Sequence, residues 1–314
     1  MMHEHMSVVF MGTPDFAVPA LERLHRSPIT IELVVTQPDR PKGRGKKLSP
    51  PPVKQVAESL GYTVIQPVSV KTQDIIDRLA EIKPDAIVVV AFGHFLPRAV
   101  LDIPRWGAIN IHPSLLPKYR GPAPIQHAIS NGEQETGVTI MRLDTGMDTG
   151  DILSQETAII DPLDTSESLH ARLAEEGADL LVRTLDGLAQ NTITPVKQDH
   201  ESATLAPRLN KKDGRIDWRD SAENIDCFVR GMHPWPGAFT HLNDKRLKVF
   251  KVQPVEGEAD HPPGTVVTCT KKDLVVCTGN GWIKIVEIQG ASGKRMGSAD
   301  FLRGHAVTRG TLLS

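Results

Sequence analysis

Asn110 and His112 stand two residues apart at the end of an apolar run, residues 107–112, that Pro113 stops. In a strand, residues i and i+2 share a face, so an amide and an imidazole project side by side. The amide carries a fixed N–H donor. The imidazole is the side chain most easily protonated near neutral pH. Two donors converging on one point describe an oxyanion hole for acyl transfer. No Ser or Cys sits in a G-x-S-x-G elbow, so a covalent acyl-enzyme is not indicated. Direct attack by an amine on a bound acyl donor needs only oxyanion donors and a proton acceptor. Residues 144–151 supply the acidic candidates, Asp148 among them. Each feature alone has an ordinary reading: local hydrogen bonding for an Asn and a His at a strand end, a turn for Asp-Thr-Gly.

The surrounding segments read as alternating strands and helices. Residues 7–11 are an apolar run ending at Gly12, and an amphipathic stretch continues to His25 with Thr13 or Asp15 as N-cap. Residues 31–36 form a second β-branched run. Residues 53–60 and 72–82 read as helices, and 62–65 as a short strand. Residues 86–91 are apolar without polar alternation, as in a parallel strand buried on both faces. Residues 136–143 and 152–160 add two strands. Residues 166–190 form the longest helical pattern, with Leu169, Leu173, Leu180, Leu181, Leu185 and Leu188 near one face. This alternation predicts an α/β, doubly wound, mostly parallel Rossmann-like sheet, with ligands beyond the carboxyl ends of its strands. Residues 192–209 are polar and irregular and read as a linker. Short β-rich runs at 239–242, 247–253, 264–269, 274–277 and 282–289 then suggest a small antiparallel, OB-like β-barrel. The expected organisation is a catalytic domain over 1–191, a linker over 192–209 and a barrel over 210–314.

Composition bounds the function. The 314 residues are 39% hydrophobic and 24% charged, which fits about two globular domains and excludes a disordered or fibrous chain. Aromatics are 4%, leaving no stripe for stacking on single-stranded nucleic acid. The net charge of −2 hides an asymmetry: residues 205–314 carry 17 basic and 12 acidic side chains. Residues 37–54 carry six basic side chains against one Asp, so a near-neutral chain still has faces that approach a polyanion. Five prolines and two glycines in 37–52 argue against any regular element there. The three cysteines are scattered and the histidines show no ligand spacing, so no metal site is expected. No G-x-G-x-x-G follows the first strand, which disfavours a dinucleotide site. The start lacks a signal-peptide pattern, and no run approaches the ~20 apolar residues of a membrane span. A reduced, cytoplasmic chain is expected.

Taken together, Asn110-Ile-His112-Pro113-Ser-Leu-Leu-Pro117-Lys-Tyr-Arg120-Gly121-Pro-Ala-Pro124-Ile, Gly137-Val-Thr and Met147-Asp148-Thr-Gly-Asp151 resemble the folate-dependent formyltransferase family. Phe10-Met-Gly12-Thr-Pro-Asp15-Phe, the loop Gln37-Pro-Asp-Arg40-Pro-Lys-Gly43-Arg44-Gly45-Lys46-Lys47-Leu, Lys212-Asp-Gly214-Arg-Ile-Asp217-Trp218 and His233-Pro234-Trp235-Pro236-Gly237-Ala238 look like the branch that acts on charged initiator tRNA. The resemblance runs from about residue 7 to the end.

The resemblance implies transfer of a formyl group from 10-formyltetrahydrofolate to the α-amino group of methionine on initiator methionyl-tRNA. It implies that Asn110 and His112 polarise the formyl oxygen and that Asp148 assists proton transfer, directly, through water or by charging His112. Phe92, Gly93, His94, Phe95, Leu96, Ser114, Leu115, Leu116 and Pro117 would lie against the folate. Arg40, Lys42, Arg44, Lys46 and Lys47, with Lys211 and Lys212 of the barrel domain, would meet the tRNA. Arg44, between two glycines, is expected to reach the acceptor end. Trp235 is expected to pack in a corner between elements. A monomer is expected. The alternatives are a formyltransferase acting on a sugar-nucleotide amine, the folate-hydrolysing module of a larger enzyme, and a non-catalytic tRNA-binding relative.

Overall fold

The computed structural model describes residues 6–42, 47–270, 272–291 and 293–314, with Lys42 and Lys47 described in their backbone alone. In chain order the first elements are β1 (Ser7–Gly12), α1 (Val18–His25), β2 (Thr30–Val35), β3 (Arg40–Lys42), β4 (Lys47–Ser49), α2 (Pro52–Ser59), β5 (Val64–Ile65) and α3 (Gln73–Ile82). Then follow β6 (Ala86–Val90), α4 (Arg98–Leu101), β7 (Ala108–His112), α5 (Pro124–Ser130), β8 (Glu135–Arg142), β9 (Ile152–Ile159) and α6 (Ser166–Ala189). Last come α7 (Ala222–Gly231), β10 (Phe239–Leu242), β11 (Lys245–Val255), β12 (Val266–Cys269), β13 (Leu274–Cys277), β14 (Trp282–Gln289), β15 (Met296–Gly297) and α8 (Ser298–Gly304).

The chain divides into two units, each discontinuous in sequence: residues 1–121, 135–159 and 170–206, and residues 122–134, 160–169 and 207–314. The first is built on a seven-stranded sheet ordered β5-β2-β1-β6-β7-β8-β9. The five strands from β5 to β7 pair in parallel, and β8 and β9 run antiparallel at one side. Every residue of β6 is buried, as its unbroken apolar sequence requires of a central parallel strand. Val9, Met11, Leu33, Ile87, Val89 and Leu79 gather in one cluster between sheet and helices. Of the leucines expected on one face of α6, Leu173, Leu180, Leu181, Leu185 and Leu188 are buried in this unit.

The second unit carries a six-stranded antiparallel sheet ordered β10-β11-β14-β13-β12, with β15 on β14. Residues 310–314 bridge its two ends. Val266 N donates to Thr311 O at 2.8 Å and Leu313 N to Gly264 O at 2.9 Å on the β12 side. On the β10 side, His241 N donates to Ser314 O at 2.8 Å and Ser314 N to His241 O at 3.1 Å. That segment closes the curled sheet into a barrel around Val249, Val276, Ile283, Ile285 and Ile288. Among the described residues, no helix is long and apolar enough to cross a membrane.

Three local expectations change. Residues 37–52 are not wholly irregular: β3 and β4 pair as a short antiparallel ribbon, Arg40 opposite Ser49 and Pro41 opposite Leu48. A two-stranded ribbon tolerates Pro41 because a strand with one free edge has amide positions that need no partner. Neither Thr13 nor Asp15 caps α1, which follows a 3-10 turn over Asp15–Ala17 and has no side-chain cap. Trp235 does not pack into a corner: it is 47% exposed.

Candidate active site

β7 presents Asn110 and His112 on one face, opposite Met141 and Thr139 of β8. Asn110 is half-buried, and among the described residues nothing hydrogen-bonds its amide. His112 is 4% exposed. Its Nε2 lies 3.0 Å from the Tyr119 carbonyl oxygen. A carbonyl only accepts, so Nε2 carries the hydrogen. Nδ1 faces Asp148 Oδ2 at 3.7 Å, beyond hydrogen-bond reach. Burial lowers the His112 pKa below its ordinary value, against the raising effects of the Asp148 charge and the bond to Tyr119 O. The resting imidazole is therefore neutral, with its free lone pair on Nδ1. As it stands it is a proton acceptor, and it becomes a second donor only once Nδ1 is protonated.

β8 runs against β7, with Arg142 opposite Ile109. The segment after β8 thus leaves the sheet at the end away from His112 and folds back for Asp148 to reach it. Three contacts hold it there. Gly121 N donates to Asp148 Oδ2 at 2.8 Å. Gln198 Nε2 donates to Asp148 O at 2.9 Å and Gly150 O at 2.7 Å. Asp148 itself sits in the left-handed region at φ 55°. Gln198 Oε1 accepts from Arg120 Nε at 3.0 Å and Nη2 at 2.7 Å, and Nη2 also donates to His200 Nδ1 at 3.2 Å. Arg120 is 7% exposed, and among the described residues no carboxylate pairs with it.

Residues 198–206 are part of this architecture, although their composition reads as a linker. Arg120 N donates to Thr204 O at 2.9 Å and Ala206 N to Arg120 O at 2.7 Å. Tyr119 N donates to Thr204 Oγ1 at 2.8 Å. Gly121 has φ 124°, and a Cβ there would lie 2.6 Å from Ala206 O, so only glycine fits. Gln198, Thr204 and Ala206 carried no spacing signal. Gln155 was missed likewise, and Thr139 was read only as the end of the Gly137-Val-Thr motif, without a role. Thr139 Oγ1 donates to Ser114 O at 2.6 Å and accepts from Leu116 N at 3.1 Å and Gln155 Nε2 at 2.9 Å. Gln155 Nε2 also donates to Leu116 O at 2.8 Å.

The residues expected against a folate fall into two groups. Phe92 and Leu96 are buried, His94 meets Phe92 edge-on at 5.4 Å, and Phe95 is 65% exposed beside Gly93 at φ 82°. Leu115 and Pro117 are half-buried and Leu116 is buried. Ser114 is fully buried and its hydroxyl donates to Lys118 O at 2.7 Å, so it braces the loop.

Among the expected cations, Arg40 is exposed on β3, and Lys211 and Lys212 are exposed on a 3-10 turn over Lys211–Gly214. Arg44 and Lys46 lie outside the described residues, as do the side chains of Lys42 and Lys47. Lys54 is turned inward: its Nζ donates to Asp39 Oδ1 at 3.1 Å and to Gln66 Oε1 at 2.7 Å. Hydrogen bonds from Gln66 and then Lys54 lower the Asp39 pKa. Among the described residues, no group of three His, Cys, Asp or Glu side chains is placed to hold a metal ion.

Residues 6–185 match the formyl transferase family, and residues 208–306 match formyl transferase, C-terminal domain. A methionyl-tRNA formyltransferase of Citrifermentans bemidjiense is 48% identical over 308 residues, covering 98% of this chain and 96% of that protein. One of Geobacter metallireducens is also 48% identical over 308 residues, covering 98% of each. Among solved structures, the sugar 3N-formyl transferase WlaRD, crystallised with dTDP and 5-N-formyl-THF, superposes with a TM-score of 0.68 at 19% identity. That match covers 93% of this chain and 100% of WlaRD. HypX from Aquifex aeolicus in complex with tetrahydrofolic acid gives 0.60 at 20% identity, over 95% of this chain and 47% of HypX. At those identities the two likenesses show the fold alone.

Proposed function

The chain belongs to the formyl transferase family, and on that premise we propose that it transfers a formyl group from 10-formyltetrahydrofolate to the α-amino group of methionine on initiator methionyl-tRNA, for translation initiation. The observation that carries this reading is the 48% identity to methionyl-tRNA formyltransferases across both units, 98% of the chain. The reading carries with it a cytoplasmic, monomeric enzyme.

The site residues fit such a reaction. The free amide of Asn110 supplies an N–H to the formyl oxygen. The uncharged α-amine attacks the formyl carbon, and its nitrogen gains positive charge as the new C–N bond forms. Nδ1 of neutral His112 is the acceptor for that proton, and the Asp148 carboxylate, 3.7 Å away, stabilises the resulting imidazolium. The protonated ring then donates from Nδ1, first toward the oxyanion and finally to N10 as the old C–N bond breaks. One proton leaves the amine and one arrives at N10, so His112 ends neutral. Residues 92–96 and 114–117 line the folate in this scheme. Arg40, Lys42, Arg44, Lys46, Lys47, Lys211 and Lys212 meet tRNA phosphates, which give affinity more than sequence readout.

The test is formyl transfer from 10-formyltetrahydrofolate with three parallel acceptors: charged initiator tRNA, uncharged tRNA and a 4-amino-sugar nucleotide. Transfer to the charged tRNA alone supports the proposal. Transfer only to the sugar nucleotide replaces the acceptor, and tRNA binding without any transfer favours a non-catalytic relative.

A further inference from the structure

Gln37 lies three residues before β3, at the root of the β3–β4 ribbon, and its side chain reaches the 92–96 segment. Gln37 Nε2 donates to Phe92 O at 2.8 Å. The same carbonyl accepts from Thr13 Oγ1 at 3.3 Å, and Gln37 N donates to Thr13 Oγ1 at 3.4 Å. A Cβ on residue 93 would lie 2.6 Å from Gln37 Nε2, so Gly93, at φ 82°, is what lets the amide sit there.

The other end of Gln37 is tied just as firmly. Gln66 Nε2, directly after β5, donates to Gln37 O at 2.8 Å and to Asp39 Oδ1 at 2.7 Å. Lys54 Nζ joins Asp39 and Gln66 from α2. The Lys54 ammonium, the Asp39 carboxylate and the Gln66 amide are all engaged within this cluster, which holds the chain immediately before β3. One residue therefore bonds the entry of the cationic ribbon to the backbone of residues 92–93.

We propose that Gln37 is a positioning residue that couples the two substrate sites, so that folate and charged tRNA each tighten the binding of the other. The inference rests on the functional reading above, which sets folate against residues 92–96 and tRNA against the ribbon. Its physical basis is conformational restriction. A ligand that fixes residues 92–93 also fixes Gln37 and the ribbon's root, so the second ligand loses less freedom on binding. Coupling of this kind is reciprocal and typically amounts to about 5–150-fold.

The experiment uses the full chain with tetrahydrofolate, which carries no formyl group, and methionyl initiator tRNA, so that no turnover occurs. The Kd of tetrahydrofolate is measured with and without saturating tRNA, and the Kd of tRNA with and without saturating tetrahydrofolate. For the parent chain both ratios should agree at about fivefold or more. In Gln37→Glu, which keeps the size but puts an acceptor opposite Phe92 O, and in Thr13→Val, which breaks the parallel link, both ratios should fall toward one. Urea midpoints check that each variant is folded. Equal ratios in parent and variants, or no coupling in the parent, overturn the proposal. A parent chain that binds neither ligand removes the functional reading itself, and this inference with it.

Discussion

His112 Nε2 gives its hydrogen to Tyr119 O at 3.0 Å while Nδ1 faces Asp148 Oδ2 at 3.7 Å. The orientation decides the pH dependence. Burial is the largest influence on His112 and lowers its pKa below 6.5. Between that lowered value and 6.5 the unfolded chain binds a proton that the folded chain refuses, so stability rises with pH across that window and falls as pH drops through it. His112→Gln should flatten this dependence, read as urea midpoints at pH 5.5 and 7.5. For activity, neutral Nδ1 is the required form, so kcat/KM should show an acid limb below pH 6.5. Asp148 raises the His112 pKa as the second influence. Asp148→Asn should therefore move the limb of the residual activity to lower pH, and a limb that moves upward contradicts the assigned pairing.

Asn110 has a free amide aimed from the same face of β7 as His112. Loss of one oxyanion donor typically costs ~10²–10³ in rate. Asn110→Ala should lower single-turnover formyl transfer by about that factor, and His112→Ala, which removes the proton acceptor, by about 10²–10⁴, while each leaves the Kd for tetrahydrofolate nearly unchanged. Comparable losses in rate and in folate affinity count against a role in the chemical step.

Most of the sheet was legible because its strands are unbroken apolar runs, as in β6, or end at a proline, as in β7 before Pro113. The pairing of Asn110 with His112 was legible for the same reason, since a strand fixes the faces of i and i+2. The ribbon of β3 and β4 was not, because its prolines and cations mask a pairing made entirely by backbone. Residues 198–206 were unreadable for a related cause. They hold the site through single side chains and backbone bonds to Tyr119 and Arg120, which leave no periodicity. The neutral resting state of His112 follows from burial among neighbours distant in sequence, such as Asp148 and Tyr119, so the motif alone suggested a donor where the fold holds an acceptor.

Gln198 separates stability from positioning. Its Oε1 serves buried Arg120, and its Nε2 serves the carbonyls of Asp148 and Gly150. Gln198→Leu removes both and strands a buried cation, which should cost more than the about 1–3 kcal/mol of an orphaned neutral group. Gln198→Glu keeps an acceptor for Arg120 but puts a carboxylate oxygen against two carbonyls. It should remain folded, by urea midpoint, and still lose kcat. If Gln198→Glu turns over like the parent, the contact to the Asp148 segment is not needed for the chemistry.

Lys211 and Lys212 are exposed on their 3-10 turn, so their replacement should not disturb the barrel. If each meets one phosphate, Lys211→Ala/Lys212→Ala should weaken tRNA binding and lower the slope of log Kd against log salt by about 2. Fluorescence titration at four salt concentrations reads the slope. An unchanged slope moves the contact elsewhere on the second unit.

Gly121 joins two requirements at one backbone position. Its N–H holds Asp148 Oδ2 at 2.8 Å, and its φ of 124° lets residues 204–206 lie against Arg120 with no room for a Cβ. Gly121→Ala meets strain from both sides, because the left-handed backbone disfavours a side chain and Ala206 O stands 2.6 Å from where the Cβ would be. A strained position of this type costs about 1–3 kcal/mol, so the urea midpoint should fall. The relief available to the chain is to shift residue 121, which lengthens the bond to Asp148. Turnover should then drop further than the stability loss accounts for at a temperature where the variant is fully folded, while tetrahydrofolate still binds. A destabilised variant that keeps parental turnover would mean that Asp148 is held in its working position by Gln198 alone.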